Sequence, residues 1–494
     1  MDQKPPTLSA RFSGFGRLEV PACALLYLLI AGALQFHVVK APWDADTAYH
    51  AAVGQLIREH GILRSFPWTP FSWLSEHYAD KELLFHLLFT PFMGLGWITA
   101  SKFVGTFLGA GLLFVLFLIL RAEKIRFAGI WALLPLAAAD VFVFRFALVR
   151  PHLMSIPLAF LVLWTAARGR LLILAVASAI YPWAYVAFWQ LPLILLTAVE
   201  GARLLSGERI RWKPAAAVLV GGLIGWALHP NAWNLLKLNW IHMIDVLFQN
   251  AWQSREGIEL GLEFLPFTAA QWAKWLLACT LMLAAGTVLA WRRRKSDPAH
   301  LAFAFAAMAF GILTVLTARF AEYFIPFSAA TMALASRSIP WRAVPVVVFG
   351  ISLLYSGPPL AETLQGLGSR TELIPPSTAS WLRQQIPPDA QVFTTEWGQT
   401  GTYMLALPDR KFIVALDPTL FLVKDPELYR LWYRIPRDPR PGMADIIRRR
   451  FGARYVVSFS DWQFDRFYEL LASEPGVRTL LITDRLMVYD LAGK

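Results

Sequence analysis

Long apolar runs separated by short basic junctions fill the first 355 residues. The first run, Val20 to Val39, has the ~20 residues a helix needs to cross a bilayer, and no small-residue cleavage site follows it, so it reads as a retained signal-anchor. Further apolar segments cover roughly 98–120, 127–148, 153–167, 171–184, 186–199, 214–229, 272–291, 299–317, 320–336 and 343–355. The clusters Arg121/Lys124/Arg126, Arg168/Arg170, Arg209/Arg211/Lys213, Arg292 to Lys295 and Arg337/Arg342 fall at every second junction. With all of them cytoplasmic, the pattern predicts about eleven spans, a cytoplasmic N-terminus and an extracytoplasmic tail. Leu83 to Trp97 is apolar but short and contains Pro91, Gly94 and Gly96. Counting it as a span breaks the parity of the basic junctions, so it is expected to lie at the outer interface.

After Ser356 the pattern changes. Short β-rich runs (Val392 to Thr395, Phe412 to Leu416, Tyr455 to Phe459, Thr479 to Thr483, Leu486 to Tyr489) alternate with stretches of helical period, Asp425 to Tyr433, Met443 to Phe451 and Asp461 to Ala472. Pro387-Pro388-Asp389 and Pro439-Arg440-Pro441-Gly442 punctuate the joins. The expectation is a polytopic α-helical membrane protein, residues 1–355, carrying an extracytoplasmic α/β domain over 356–494.

Composition agrees with this division. Of 494 residues, 56% are hydrophobic and only 16% charged, against about 25% charged in a soluble protein. The net charge of +12 invites a nucleic-acid reading, but its distribution excludes one. From Ser356 onward 17 Lys and Arg stand against 16 Asp and Glu, so nearly the whole excess sits in the short loops between apolar segments. The basicity reports topology. Cys23 and Cys279 lie inside apolar segments and offer neither a disulfide framework nor a zinc site. Trp43, Trp68, Trp73, Trp183, Trp189, Trp233, Trp240 and Trp252 crowd the outer junctions, as an interfacial aromatic belt would.

Chemistry concentrates in the first external loop, residues 40–82. Trp43-Asp44-Ala45-Asp46-Thr47-Ala48-Tyr49-His50 stands where the chain has just left the bilayer, and acidic groups at that depth mark function by default. A helix is predicted from Thr47 to His60, ended by Gly61. Asp46 alone is accounted for as its cap, but a pair of carboxylates exceeds what one cap needs. Asp44 and Asp46 therefore stand as a general base or as ligands of a divalent cation beside a phosphate. His50 shares the helix face of Asp46. Later in the loop, Tyr78-Ala79-Asp80-Lys81-Glu82 precedes the interfacial helix, so Lys81 is either part of a solvated ion cluster or a phosphate contact.

Other polar residues gather near the outer junctions. Arg145, Arg150 and His152 form one group, and Arg319, Glu322 and Tyr323 another. Arg150 and Arg319 are explained by snorkelling or as a pair of bidentate phosphate clamps, and Glu322, three residues after Arg319, is the alternative structural partner of Arg319. The outer loop that begins Leu228-His229-Pro230-Asn231 carries Glu256, Glu259 and Glu263, which read as a solvated acidic helix face.

These motifs resemble the GT-C type membrane glycosyltransferases. The resemblance rests on Asp44-Ala45-Asp46-Thr47-Ala48-Tyr49-His50 just after the first span, the helix containing Gly54 and ended by Gly61, Pro70-Phe71-Ser72-Trp73, and Lys81-Glu82. In the tail, Glu396-Trp397-Gly398, Gly401-Thr402-Tyr403 and Phe412 to Asp417 are similar to the exported domain of oligosaccharyltransferase-like members. Protein mannosyltransferases and aminoarabinose transferases belong to the same group. The resemblance implies a polyprenyl-phosphate-linked sugar donor. It also implies catalytic or metal-binding roles for Asp44 and Asp46, with Mg or Mn as the ion, and substrate contacts from Lys81 and Glu82. His50, Arg150, His152, Arg319 and Glu322 are the further candidates for substrate binding. The tail departs from the oligosaccharyltransferase Trp-Trp-Asp-Tyr-Gly motif, having only Thr395-Glu396-Trp397-Gly398-Gln399. The acceptor is therefore open among a glycan, a lipid and a protein side chain.

The reading that follows is a glycosyltransferase at the outer face of the cytoplasmic membrane. A lipid-linked glycan transporter or flippase and a non-catalytic envelope assembly protein are the alternatives. Transporters often show internal repeats with charges near the midplane; here no repeat is evident and the charges collect at one face.

Overall fold

A computed structural model describes residues 8–246, 261–414 and 417–492. The chain divides into two compact units, Met1–Lys40 with Lys102–Trp226 and Leu262–Arg370, and Ala41–Ser101 with Ala227–Gly261 and Thr371–Lys494.

The first unit is helical. Its centre is the helix Ala321–Ala335, buried at every position. Phe327 of that helix stacks on Phe160 with ring centroids 4.3 Å apart and meets Phe310 at 5.0 Å. Small residues set the helix spacing elsewhere. A methyl group at Gly221 or Gly225 would fall 2.1 or 2.0 Å from the carbonyl oxygens of Ala175 and Ala179. The four-residue spacing of both pairs lets the helices Leu171–Ala184 and Trp212–Ala227 touch backbone to backbone.

Four helices are long and apolar enough to cross a membrane, and three sharply bent pairs raise the number to seven among the described residues. The apolar segment expected to run straight from 127 to 148 is one such pair. Ala128–Ala138 and Asp140–Ala147 meet at 96°, because Ala139 is extended (φ −155°, ψ 122°) and Asp140 starts a new helix. The stretch after His229, expected as loop, contains the helix Ala232–Trp240.

Two ion clusters mark the ends of the helix His152–Arg168, about 24 Å apart at 1.5 Å per residue. At its C-terminal end the Arg168 guanidinium bridges Glu123 and Asp297, with Nη1 donating to Asp297 at 2.9 Å. Arg211 donates from Nη2 to the carbonyl of Ala166 at 2.9 Å. The basic junctions near 123, 168, 211 and 297 thus gather at one end of the unit.

In the second unit the chain from Thr371 builds a five-stranded sheet in the order β2-β1-β3-β5-β4. The strands are β1 Gln391–Phe393, β2 Lys411–Phe412, β3 Tyr455–Phe459, β4 Arg478–Ile482 and β5 Leu486–Asp490. β1 runs parallel to β2 and β3, and β5 antiparallel to β3 and β4. β3 is central and buried along four of its five residues, as its continuous apolar run requires. β4 is the edge strand, half-exposed and bulged between Thr479 and Leu481, which blunts it against further pairing. The helices Pro426–Arg437, Met443–Phe451 and Asp465–Ser473 cover the sheet through Trp432, Ile447 and Phe467. The boundary expected at residue 355/356 falls inside the unbroken helix Val344–Ser369. Apolar positions continue past Ser356, and Pro358 and Pro359 do not end the helix.

The first loop belongs to this second unit. The backbone N–H of Phe412 donates to the carbonyl of Trp68 at 2.6 Å, and Trp68 Nε1 donates to the carbonyl of Pro408 at 2.8 Å. Lys424 Nζ reaches the Pro70 carbonyl at 3.0 Å and Ser75 Oγ at 2.7 Å. Phe71 packs on Phe421, centroids 5.7 Å apart. Trp68 and Trp73, expected in the aromatic belt, are instead buried here, whereas Trp189, Trp233 and Trp240 are exposed as a belt demands. Trp252 lies outside the described residues.

Candidate active site and candidate metal centre

The helix Ala45–His60 begins at a cap and ends at Gly61, whose φ of +76° suits glycine. The cap is Asp44, not Asp46. Its Oδ1 accepts from the Thr47 backbone N–H at 3.0 Å and its Oδ2 from Thr47 Oγ1 at 2.5 Å. Asp46 sits one position into the first turn. The helix starts two residues earlier than expected because Asp44 leads with a side chain that reaches back to Thr47. Asp44 also lines a cavity of about 230 Å³, with Ala48, Trp97, Glu372, Arg383 and Thr402 among its walls. Burial pushes the Glu372 carboxyl up.

Two glycines let the helix reach its neighbours. At Gly54 a methyl group would lie 2.6 Å from Cβ of Phe89, so the helix Leu83–Phe89 packs directly on this face. That helix has seven residues, about 10 Å of rise, far short of a span. Gly401, on the helix Thr400–Ala406, fits against the backbone of Ala45 in the same way.

Where the two first-loop helices meet, titratable groups converge. His50 Nδ1 lies 2.8 Å from His86 Nε2 and 4.0 Å from Glu82 Oε2. His86 Nδ1 donates to both oxygens of Asp80, at 2.7 and 2.9 Å. All four side chains are buried. Phe85 packs edge-on against His50 at 4.8 Å, and the Tyr49 ring lies 5.9 Å from that of His86. Burial, together with the charges of Asp80, Glu82, Asp417 and Asp46, holds the Tyr49 phenol well above its ordinary pKa. Asp417, just before the helix Thr419–Lys424, is bonded to His242. Although burial opposes it, His242, helped by Lys81, keeps the Asp417 carboxyl below the usual carboxylate range.

Two groups of three convergent donors occur among the described residues: His50, Glu82 and His86, and Glu123, Asp297 and His300. Asp44 and Asp46 belong to neither. Sequence reasoning singled out His50 and Glu82 but missed His86, Asp80, His242 and Asp417 as members of this constellation. Glu82 and His86 stand four apart, which was a legible signal for one face of a short helix.

The remaining candidates lie in the first unit around Glu263. Arg145 Nη1 donates to Glu263 at 2.7 Å and its Nη2 to Glu322 at 2.6 Å. Arg319 Nη1 reaches Glu263 at 2.8 Å, and Arg150 Nη1 at 3.4 Å. His152 Nε2 donates to the Arg145 carbonyl at 2.9 Å. Arg319, Arg145 and Arg150 hold the Glu263 carboxyl below its ordinary range against the effect of burial. Glu322 thus serves Arg145, the partner the sequence had offered to Arg319. Glu256 and Glu259 lie outside the described residues. Glu263 itself is an ion-pair hub and not part of a solvated acidic face.

No protein-family profile and no curated protein sequence matches the chain, but solved structures do. The oligosaccharyltransferase of Archaeoglobus fulgidus in its apo form superposes with a TM-score of 0.66 at 15% identity, covering 92% of this chain and 71% of that one. The chain has the GT-C glycosyltransferase fold. The mycobacterial arabinofuranosyltransferase AftD matches with a TM-score of 0.59 at 15% identity, over 97% of this chain and 40% of that one. ArnT of Cupriavidus metallidurans, apo, matches with 0.56 at 14% identity, over 98% of this chain and 100% of that one. The archaeal oligosaccharyltransferase has also been solved with an inhibitory peptide and a dolichol-phosphate, and with Zn and sulfate.

Proposed function

We propose that this chain is a multi-pass membrane glycosyltransferase that moves a sugar from a polyprenyl-phosphate-linked donor to an acceptor at the outer face of the cytoplasmic membrane. The observation that carries the reading is Asp44: a carboxylate at the start of a helix, on the wall of a 230 Å³ cavity that also presents Trp97, Glu372 and Arg383. An acceptor hydroxyl in that cavity donates its proton to the carboxylate as its oxygen bonds to the anomeric carbon. The bond from that carbon to the phosphate oxygen breaks, and the lipid phosphate leaves with the electron pair. Cations near the departing phosphate stabilise the charge that develops. Lys81 is the candidate in the unit that carries Asp44, with His50 and Glu82 as further substrate contacts. Asp46, in the first turn of the same helix, assists Asp44 or shares a divalent cation such as Mg or Mn with it.

The fold shared with three glycosyltransferases supports the reaction class. A dolichol-phosphate bound to one of them supports a lipid-linked donor. The about eleven spans, cytoplasmic N-terminus and extracytoplasmic tail expected from the basic junctions fit an enzyme that meets such a donor outside the cell. The acceptor is a glycan, a lipid or a protein side chain.

The test uses membranes containing the full chain and a labelled polyprenyl-phosphate sugar. Transfer of label with release of polyprenyl phosphate is expected, and Asp44→Asn and Asp46→Asn, inserted normally, should each lose it. Donor that crosses the bilayer uncleaved would identify a flippase, and unchanged transfer in both variants and in the double variant would remove the carboxylates from the mechanism.

A further inference from the structure

We propose that the helices covering one face of the tail sheet form a docking face for an acidic, phosphate-bearing glycan, the chain that presents the acceptor. That this glycan is the acceptor rests on the glycosyltransferase reading; the docking itself rests on the tail alone.

Cations are sorted unevenly along the tail. Eight arginines and two aspartates stand from Arg430 to Arg454, whereas the rest of the chain after Tyr355 carries 9 Lys and Arg against 14 Asp and Glu. No lysine occurs from Asp425 to Gly493. Lysine serves solubility as well as arginine does, but only the planar fork of arginine takes phosphate oxygens two at a time.

The fold gathers these residues on one surface. Phe393 of β1 meets Phe451 with ring centroids 5.6 Å apart and Phe467 at 6.5 Å. The helices Met443–Phe451 and Asp465–Ser473 therefore cover the same face of the sheet, and Trp432 brings the helix Pro426–Arg437 into that core. Along this last helix Leu428, Trp432 and Ile435 are buried. Arg430, Arg434 and Arg437 form the opposite stripe, about 10 Å long. Asp438 is taken by Arg440 at 2.8 Å, and Asp445 by Arg448 and Arg449 at 3.2 and 2.9 Å. Arg430, Arg434, Arg450 and Arg466 are exposed and have no carboxylate partner among the described residues. The helix dipole accounts for Arg450, in a last turn. It does not account for Arg466, in the first turn of its helix, where a cation is disfavoured.

Trp462 adds a flat apolar surface beside the cations. It is 85% exposed, on a 3₁₀ turn fixed by Asp461, whose Oδ1 accepts from the Gln463 backbone N–H at 3.0 Å. Arg437 joins this turn to the stripe, lying over the Phe464 ring at 5.3 Å and the Tyr433 ring at 3.8 Å. The indole suits the apolar face of a sugar ring, with its N–H free to meet a hydroxyl, while the guanidinium groups around it take phosphate. A single-strand nucleic-acid groove stacks successive bases on several aromatics, and a face that enters lipid needs an apolar stripe. Trp462 is the one exposed aromatic ring among the described residues from Thr371 onward.

The full chain in phosphatidylcholine nanodiscs is titrated into labelled phosphorylated dextran and into unmodified dextran of the same length. The phosphorylated chain should bind, less tightly as salt rises, and the neutral one should not. Arg430→Gln, Arg434→Gln and Arg450→Gln combined should weaken binding about tenfold; these exposed side chains hold no fold contact that the change would break. Trp462→Ala should weaken binding of the phosphorylated dextran and leave that of inorganic polyphosphate, which has no sugar ring, unchanged. Arg292→Gln with Arg293→Gln, in the first unit, should bind like the wild type. An equal loss in that control, or no binding by the wild type, overturns the proposal. So does tighter binding of a single-stranded DNA oligonucleotide, which would mark a nucleic-acid groove, or of phosphatidylglycerol vesicles, which would mark a lipid surface. The titration uses no sugar donor, so the glycosyltransferase reading can fail in the transfer assay while the docking face stands, and the reverse.

Discussion

Gly401 and Ala45 touch backbone to backbone: a methyl group on Gly401 would lie 2.1 Å from the carbonyl oxygen of Ala45 and 2.8 Å from Cβ of Tyr49. The helix Thr400–Ala406 of the tail therefore rests directly on the first turn of the helix that carries Asp46. Neither helix is long, and their close approach fixes where the acidic residues stand relative to the tail sheet.

Gly401→Ala is expected to force these helices apart. Alanine gains up to about 1 kcal/mol of helix propensity, but a contact of 2.1 Å to backbone cannot be relieved by a rotamer change. The net effect should be a loss of about 1–3 kcal/mol, seen as a lower thermal midpoint, together with reduced sugar transfer. Gly398→Ala is the control, since its nearest neighbour, Glu396 Oε2, lies at an ordinary 3.6 Å. Equal behaviour of the two variants would contradict the packing argument.

Capping and chemistry at Asp44 separate by substitution. Asparagine and serine both cap helices well, so Asp44→Asn and Asp44→Ser should hold stability within about 0.5 kcal/mol while losing transfer. Asp44→Ala should lose transfer and about 1 kcal/mol besides. A serine variant with full activity would reduce Asp44 to a cap.

Glu263 is expected to govern acid stability of the first unit. Its folded pKa lies below the ordinary carboxylate value of about 4.3. Its contribution is thus complete above that value and is lost as pH falls through the lower, folded one. Glu263→Gln leaves Arg145, Arg150 and Arg319 facing one another and should cost about 3 kcal/mol at neutral pH. In the variant, the part of the acid-side loss below about pH 4 that belongs to this residue should vanish. Melting curves from pH 3 to 8 measure both effects, and parallel curves for variant and wild type would refute the assignment.

Arg168→Lys tests the opposite end of the helix His152–Arg168. The guanidinium serves Glu123 and Asp297 together, a geometry that a point ammonium cannot reproduce. A loss of about 2 kcal/mol is expected, with KM for the donor unchanged. A variant with wild-type stability and altered KM would point to a substrate role at this end instead.

Much of this architecture is legible in the sequence where a one-dimensional period carries it. The runs Tyr455 to Phe459 and Met443 to Phe451 coincide with β3 and a covering helix residue for residue, because both elements are buried on the faces their patterns mark. The 127–148 segment misled for the opposite reason: hydropathy records apolarity and not direction, and a 96° corner at Ala139 leaves every residue as apolar as a straight helix would.

The acidic start of the helix Ala45–His60, its glycine stop and its histidine were decided by local chemistry, since a cap, a positive φ and a four-residue spacing act within a few residues. Which aspartate caps was a matter of one side chain's reach, and it fell to Asp44. The meeting of His50 with His86, of Asp417 with His242, and of three arginines on Glu263 joins residues 36 to 175 positions apart. No period encodes such encounters. His50 meets His86 because Gly54 lets the two first-loop helices close to contact distance, and the other encounters exist because charges and imidazoles drawn out of water must find partners wherever the packed chain places them.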